Sequence, residues 1–357
     1  MFSTPFVLSS ALLLSVPLLF LLAPRIIPSR HLPDELDDRT LFHRASHSSS
    51  SSSTFSHLGT TNPQPKIAFL FLTNSDLSFA PLWERFFQGN QHLFNIYIHA
   101  DPSSNLNPPG GVFQGRFIPG KHTQRASPTL ISAARRLLAT ALLDDTSNSF
   151  FALLSQHCIP LHSFRYIYHS LFASTHSVSS ESETHSTRST QLFVGQVKYR
   201  SFIEILSNEP GLWERYTARG DDVMMPEIPF ERFRVGSQFF ILTKRHAQLV
   251  IRDRSLWRKF RLPCLNTESC YPEEHYFPTL LSMKDPKGCS QFTLTRVNWT
   301  DSSDGHPHTY LPAEVSPELV YKLRASNSTY SYLFARKFSP DCLKPLMKLA
   351  DTVIFRD

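Results

Sequence analysis

The sequence predicts an α/β fold, with a mostly parallel central sheet flanked by helices and preceded by one N-terminal transmembrane helix. Three observations predict it. Residues 67–73 and 95–100 are short apolar runs of strand length, separated by a stretch with helical spacing at 82–87; strand, helix, strand is how a parallel sheet opens. A third apolar run at 150–155 follows a second helical pattern at 130–143. Residues 1–24 carry no charged side chain and are dominated by Leu, Val, Phe and Ala, just long enough to cross a thin bilayer.

The N-terminal run reads as a membrane anchor, with a cleaved signal peptide as the alternative, although the basic segment that opens a signal peptide is missing. Arg25 and Arg30 after the run point to a cytosolic body by the positive-inside rule. The sequons Asn298-Trp299-Thr300 and Asn327-Ser328-Thr329 point instead to the lumen, with Asn298 and Asn327 as acceptors. Residues 47–56 are almost all serine and cannot bury enough apolar surface to fold, so 25–64 is read as a flexible stem. The ordered body is expected over 65–340, with 341–357 as a tail.

Within the body, the run from Ile67 ends in Thr73-Asn74-Ser75-Asp76 and the run from Asn95 ends in Asp101-Pro102. Both fit buried parallel strands better than helices. Ligands collect at the carboxyl ends of such strands, which makes Thr73 and Asp101 candidate nucleotide contacts; an Asp before proline is also an ordinary turn residue. Arg135 and Arg136 sit in the helical pattern of 130–143 and read as a solvated face. Residues 164–172 read as a helix, and 173–190, rich in Ser, Thr, His and Glu, as an exposed insertion. A strand is expected at 236–242, entered through Gly236, which permits close backbone approach. A helix is expected from His246 to Ile251 and a strand at 292–299.

Length and composition bound the chemistry. The 357 residues suit one large or two ordinary domains, and an apolar content of 41% supplies a sizeable core. A net charge of +6, spread without Lys/Arg blocks, suits an anionic partner such as a nucleotide and not a nucleic acid. None of the five cysteines forms a CxxC pair, which argues against structural zinc. Cys264, Cys270 and Cys289 are close enough in sequence to supply one local disulfide, with the pairing open. Glycine-rich phosphate loops, Gly-x-Ser-x-Gly and HExxH are all missing. Asp221-Asp222 lacks the spacing of a metal-holding Asp-x-Asp and follows Gly220 as in a turn. A bound diphosphate would therefore rely on side-chain cations, for which Arg336 and Lys337 are candidates; the plainer reading is a surface pair.

The stretch Cys270-Tyr271-Pro272-Glu273-Glu274-His275-Tyr276-Phe277-Pro278-Thr279 holds two adjacent carboxylates and a histidine among aromatics. Proline is tolerated at a helix start and carboxylates are favoured there. The sharper reading makes one carboxylate a general base in a pocket walled by Tyr271, Tyr276 and Phe277, because apolar walls raise a carboxyl pKa.

Five motifs in order, Ile98-His99-Ala100-Asp101-Pro102, Leu154-Ser155-Gln156-His157-Cys158-Ile159-Pro160, Gly236-Ser237-Gln238-Phe239-Phe240, Pro272-Glu273-Glu274-His275 and Phe334-Ala335-Arg336-Lys337-Phe338, resemble those of plant members of the core-2/I-branching β-1,6-N-acetylglucosaminyltransferase family. The resemblance covers about residues 65–340. It implies a GT-A-like fold in a Golgi type II membrane protein. It also implies inverting transfer from a UDP-sugar to a glycan or glycoprotein hydroxyl without a metal cofactor. By the same resemblance Glu274 matches the catalytic base, Asp101 a carboxylate near the nucleoside, and Lys337 the lysine that binds the diphosphate, with Arg336 beside it. Trp299 looks like an acceptor-side aromatic, with Glu273 as a further acceptor contact. No second phosphate-binding arginine is evident; His308 lies near its place, and a neutral imidazole is a weaker substitute. Two other readings stay open. One is an inactive lumenal carbohydrate-binding or scaffold protein on a transferase fold. The other, a glycosidase, fits poorly because adjacent carboxylates do not flank a glycosidic bond.

Overall fold

The computed structural model describes residues 33–47, 64–173, 199–300 and 306–357. The expected anchor, most of the stem and nearly all of the Ser/Thr-rich insertion lie outside them. Among the described residues no helix is long and apolar enough to cross a membrane. Contacts divide the chain into two units, residues 1–41 and 42–357. The first is described only as the opening of helix α1, Pro33–His47, which crosses the boundary. Its sequence explains a helix where a flexible stem was expected. Arg44 and His47 fall in its last turn, where basic side chains complement the negative end of the macrodipole.

In the larger unit β1 (Lys66–Thr73), α2 (Ala80–Phe87), β2 (Phe94–Ala100), α3 (Pro128–Asp144) and β3 (Asn148–Ser155) follow the expected alternation. β1 pairs in parallel with β2 on one side and β3 on the other. The fourth strand is β5 (Ile241–Thr243), antiparallel to β3, in the order β2-β1-β3-β5. The fold is thus mixed α/β with a parallel-rich sheet. The strand expected at 236–242 is real only over its last residues, because Gly236 leaves the sheet to meet another element described below. A second sheet, β4-β7-β6, joins Ile159–Pro160, Phe334–Arg336 and Thr295–Val297, so the strand expected at 292–299 shrinks to its middle.

Alternation along β1 builds the core. Ile67, Phe69 and Phe71 face a cluster that includes Trp83, Phe86, Phe87, Phe94 and Phe334. Phe69 is fully buried and meets Phe86, Phe87, Phe94 and Phe334 edge to face, at centroid distances of 5.9, 4.9, 6.4 and 6.4 Å, the arrangement aromatic quadrupoles favour. Arg135 and Arg136 are buried, which corrects the solvated-face reading. The Arg135 guanidinium lies over the rings of Phe42 and Trp257 and donates to the carbonyls of Ile251 and Asp253 at 3.3 and 2.9 Å. It thereby satisfies the carbonyl end of helix α6 (Lys244–Arg252). The segment set apart as a tail also packs inward. Leu346, Val353 and Ile354 join the core, and Asp357 accepts from the Ser163 N–H at 2.6 Å and pairs with Arg324 at 3.3 Å.

Candidate active site

The acidic stretch starts helix α8, Pro272–Lys284, with Pro272 at its first turn and both glutamates in that turn. Tyr271 precedes it in the left-handed region, φ 34° and ψ 61°, an uncommon conformation for a non-glycine residue. Cys264 and Cys270 are joined in a disulfide immediately before it, which resolves the pairing the sequence left open; Cys289 is a buried free thiol.

The two glutamates part company. Glu274 is partly exposed and accepts from the Arg215 guanidinium through Oε2 at 2.8 Å. Its Oε1 bonds to no described residue, so one oxygen is oriented and the other is open. Glu273 is 3% exposed. Its Oε1 accepts from the Ala126 N–H at 3.0 Å, and its Oε2 is buried without a partner. Burial, with the neighbouring Glu274 charge adding to it, pushes the Glu273 carboxyl up to about 7 against hydrogen bonds that pull it down. The apolar environment the sequence assigned to the base thus belongs to its neighbour. Tyr276 and Phe277 are core residues, Tyr276 donating to Asp253 at 2.9 Å, and only Tyr271 remains as a wall. An acceptor contact for Glu273 is ruled out by the same burial.

Gly236 explains the shortened strand. Its N–H donates to the Glu274 carbonyl at 2.9 Å. A Cβ there would stand 2.0 Å from the Glu204 carbonyl oxygen, so only glycine lets these backbones meet. Glu204, which the sequence reading passed over, is raised by burial and feels the Glu274 charge.

Cations gather on this helix start. Arg215, on α5 (Leu212–Thr217), and Arg125 both lie over the Tyr271 ring, 5.2 and 5.4 Å from its centroid. Arg125 also contacts His306 at 2.6 Å. Arg336 ends β7, stacks over Phe239 at 4.3 Å, and is held below its ordinary pKa by burial despite the Glu274 charge within reach. Lys337 is lowered by burial and by the charges of Arg336 and Arg125, and no carboxylate among the described residues pairs with it. The Glu274 charge thus reaches Arg336, and the charges of Arg336 and Arg125 reach Lys337.

Other predicted residues fare differently. Asp101 is buried and fully engaged. Oδ1 accepts from the N–H and hydroxyl of Ser103 at 2.9 and 2.7 Å and contacts His122 at 3.2 Å, while Oδ2 accepts from the N–H and hydroxyl of Thr123 at 2.6 and 2.7 Å. These bonds hold it well below the usual carboxylate range against its burial. With no lone pair left for a nucleoside, it anchors the loop that leads to Arg125. Thr73 is buried too, its hydroxyl donated to the Ser75 carbonyl, so neither strand-end residue presents a free group. Trp299 is 55% exposed and follows by two residues Val297, which pairs with Arg336. His308 is tied to Glu314 at 2.8 Å, and two arginines that the sequence reading did not single out, Arg125 and Arg215, come to the start of this helix. No spacing signal marks them; they are brought in by folding. Asn327 is exposed and Asn298 half-buried, its amide oxygen accepting from the Thr300 N–H at 3.0 Å.

Comparison with known proteins agrees with the motif order. Residues 67–192 and 188–324 match the model of the Core-2/I-branching enzyme family. Glycosyltransferase BC10 of Oryza sativa subsp. japonica is 26% identical over 325 residues, covering 77% of this chain and 74% of the relative.

Proposed function

The chain belongs to the Core-2/I-branching enzyme family, a family of glycosyltransferases, and from that premise we propose that it transfers a sugar from a UDP-sugar to a glycan or glycoprotein hydroxyl with inversion, on a GT-A-like fold. The observation that carries this reading is Glu274, half-buried, held by Arg215 through Oε2 with Oε1 bonded to no described residue, and with its charge reaching Arg336 beside Lys337. In a single displacement Glu274 takes the proton of the acceptor hydroxyl as its oxygen attacks the anomeric carbon. The bond from that carbon to the UDP oxygen breaks on the opposite face, and the electron pair leaves on the diphosphate. Lys337 and Arg336 stabilise that growing negative charge, the task a divalent metal performs elsewhere. Arg215 fixes the Glu274 carboxylate by its other oxygen, and Trp299 offers a face on which an acceptor sugar stacks.

The proposal extends to the cell. The uncharged run of residues 1–24 and the two sequons support a single-pass type II protein of the Golgi membrane, with the body lumenal and Asn298 and Asn327 as acceptor sites. The test uses the full-length protein, a panel of UDP-sugars, and release of UDP measured with and without EDTA. Glu274→Gln keeps the shape and removes the base. It is expected to bind UDP as the wild type does and to transfer at least about a hundredfold more slowly. Undiminished transfer by this variant refutes the assignment, and loss of wild-type transfer in EDTA refutes metal independence.

A further inference from the structure

The buried glutamate has a use that the reaction does not require of it. We propose that Glu273 is a positioning residue that latches the loop carrying Arg125 onto the helix carrying Glu274, and so makes Arg125 a donor-binding cation. This rests on the UDP-sugar reading above.

The latch is one hydrogen bond with a demanding geometry. Ala126, whose N–H Glu273 accepts, sits in the left-handed region at φ 56°, costly for an alanine. Ser127 then caps helix α3, accepting from the Thr129 N–H at 3.2 Å. The chain between the Asp101-anchored residues 122–123 and the α3 cap is therefore pinned at both ends and at Ala126, and Arg125 is the charged side chain it carries, exposed like that of Gln124. Its guanidinium is delivered to the Tyr271 ring, which it shares with Arg215, and into the neighbourhood of Lys337.

Burying the glutamate for this purpose is expensive. Oε2 of Glu273 is buried without a partner, and Arg219, 3% exposed, has none for its three guanidinium nitrogens, stacking instead on Phe260 at 5.2 Å. Unsatisfied buried polar groups are rare in folded proteins. A glutamine or serine would accept from Ala126 more cheaply, unless the site gains from the arrangement. Around the latch stands positive charge: Arg125 and Arg215 share the Tyr271 ring, and the charges of Arg125 and Arg336 reach Lys337. The diphosphate of the donor is the anion that the proposed reaction brings to these cations.

The experiment is calorimetric titration of UDP into the full-length protein. Arg125→Ala, an exposed substitution that leaves the core intact, is expected to weaken UDP about tenfold, the size of one charged contact to phosphate. Glu273→Leu, which removes the acceptor, is expected to weaken it by a similar factor, and the double variant by no more than either alone, because both act through one contact. Glu273→Gln, whose amide oxygen still accepts from Ala126, is expected to recover the affinity that Glu273→Leu loses. Additive losses, or a glutamine variant as weak as the leucine one, overturn the latch. Wild-type affinity in Arg125→Ala, in a protein whose UDP binding is weakened by Lys337→Ala, overturns the inference while the donor reading stands. A wild type that binds no UDP overturns both. Should Glu273→Leu fail to fold, Arg125→Ala alone decides the role of that cation, and Glu273→Gln decides whether an acceptor at 273 suffices.

Discussion

Replacing Glu273 by glutamine should make stability less dependent on pH, in a direction and by an amount the structure sets. The carboxyl ordinarily titrates at 4.5 and is pushed up to about 7 in the folded protein, first by burial. The groups around it are Glu274, which raises it further, the Arg125 charge and the Ala126 N–H, which lower it, and the buried Arg219, which feels its charge. Below pH 4.5 both folded and unfolded chains hold the proton and no penalty arises. Between 4.5 and 7 the folded chain holds more protons than the unfolded one, so stability falls as pH rises, and above 7 the loss is complete. At about 1.36 kcal/mol for each tenfold change in proton affinity, the loss is about 3 kcal/mol. Glutamine keeps an acceptor for Ala126 and has no proton to lose. The variant should therefore gain about 3 kcal/mol over the wild type between pH 4 and pH 8, whatever its offset at pH 4. Urea unfolding of both proteins at a series of pH values measures this. A stability difference that does not change with pH refutes the view that Glu273 is buried as an acid.

Two further outcomes follow from the packing. Removing the Cys264–Cys270 disulfide by a double serine substitution should lower stability by about 2 kcal/mol, the loop-closure value for so short a ring; the same change should slow transfer more than it weakens UDP, because Tyr271 and the start of α8 hang directly from Cys270, and equal effects on both count against that placement. Phe69→Ala, at the centre of the aromatic cluster, should cost about 3–5 kcal/mol in urea unfolding with no loss of affinity for UDP at low temperature.

Much of the fold was legible because its signals are local. The apolar runs at 67–73, 95–100 and 150–155 became β1, β2 and β3, and the helical spacing at 164–172 became the helix Phe164–Phe172, since a strand or helix buried on its inner face must write that face into adjacent residues. The site was legible only in part. Glu274 and Lys337 were singled out through motifs, and Gly236 through its freedom for close approach, which the Glu204 carbonyl uses. Asp101 and Thr73 were placed at the ends of the right strands, yet their polar atoms are spent on the loops there, a local choice that strand position does not encode. Arg135 and Arg136 looked solvated because charge usually is; the structure stacks Arg135 on aromatic rings and closes a helix end with it.

The sequence by itself determined the order of strands and helices, the pair of carboxylates at the head of a helix, and the family to which the chain belongs. Only the tertiary structure decided which carboxylate is buried and which is open, that Cys264 pairs with Cys270, and that Arg125 and Arg215 reach the same tyrosine. The physical reason is range. Periodicity and caps act over a few residues, whereas burial of Glu273 and the meeting of Arg125 and Arg215 over one ring depend on chain segments that meet only when the core closes.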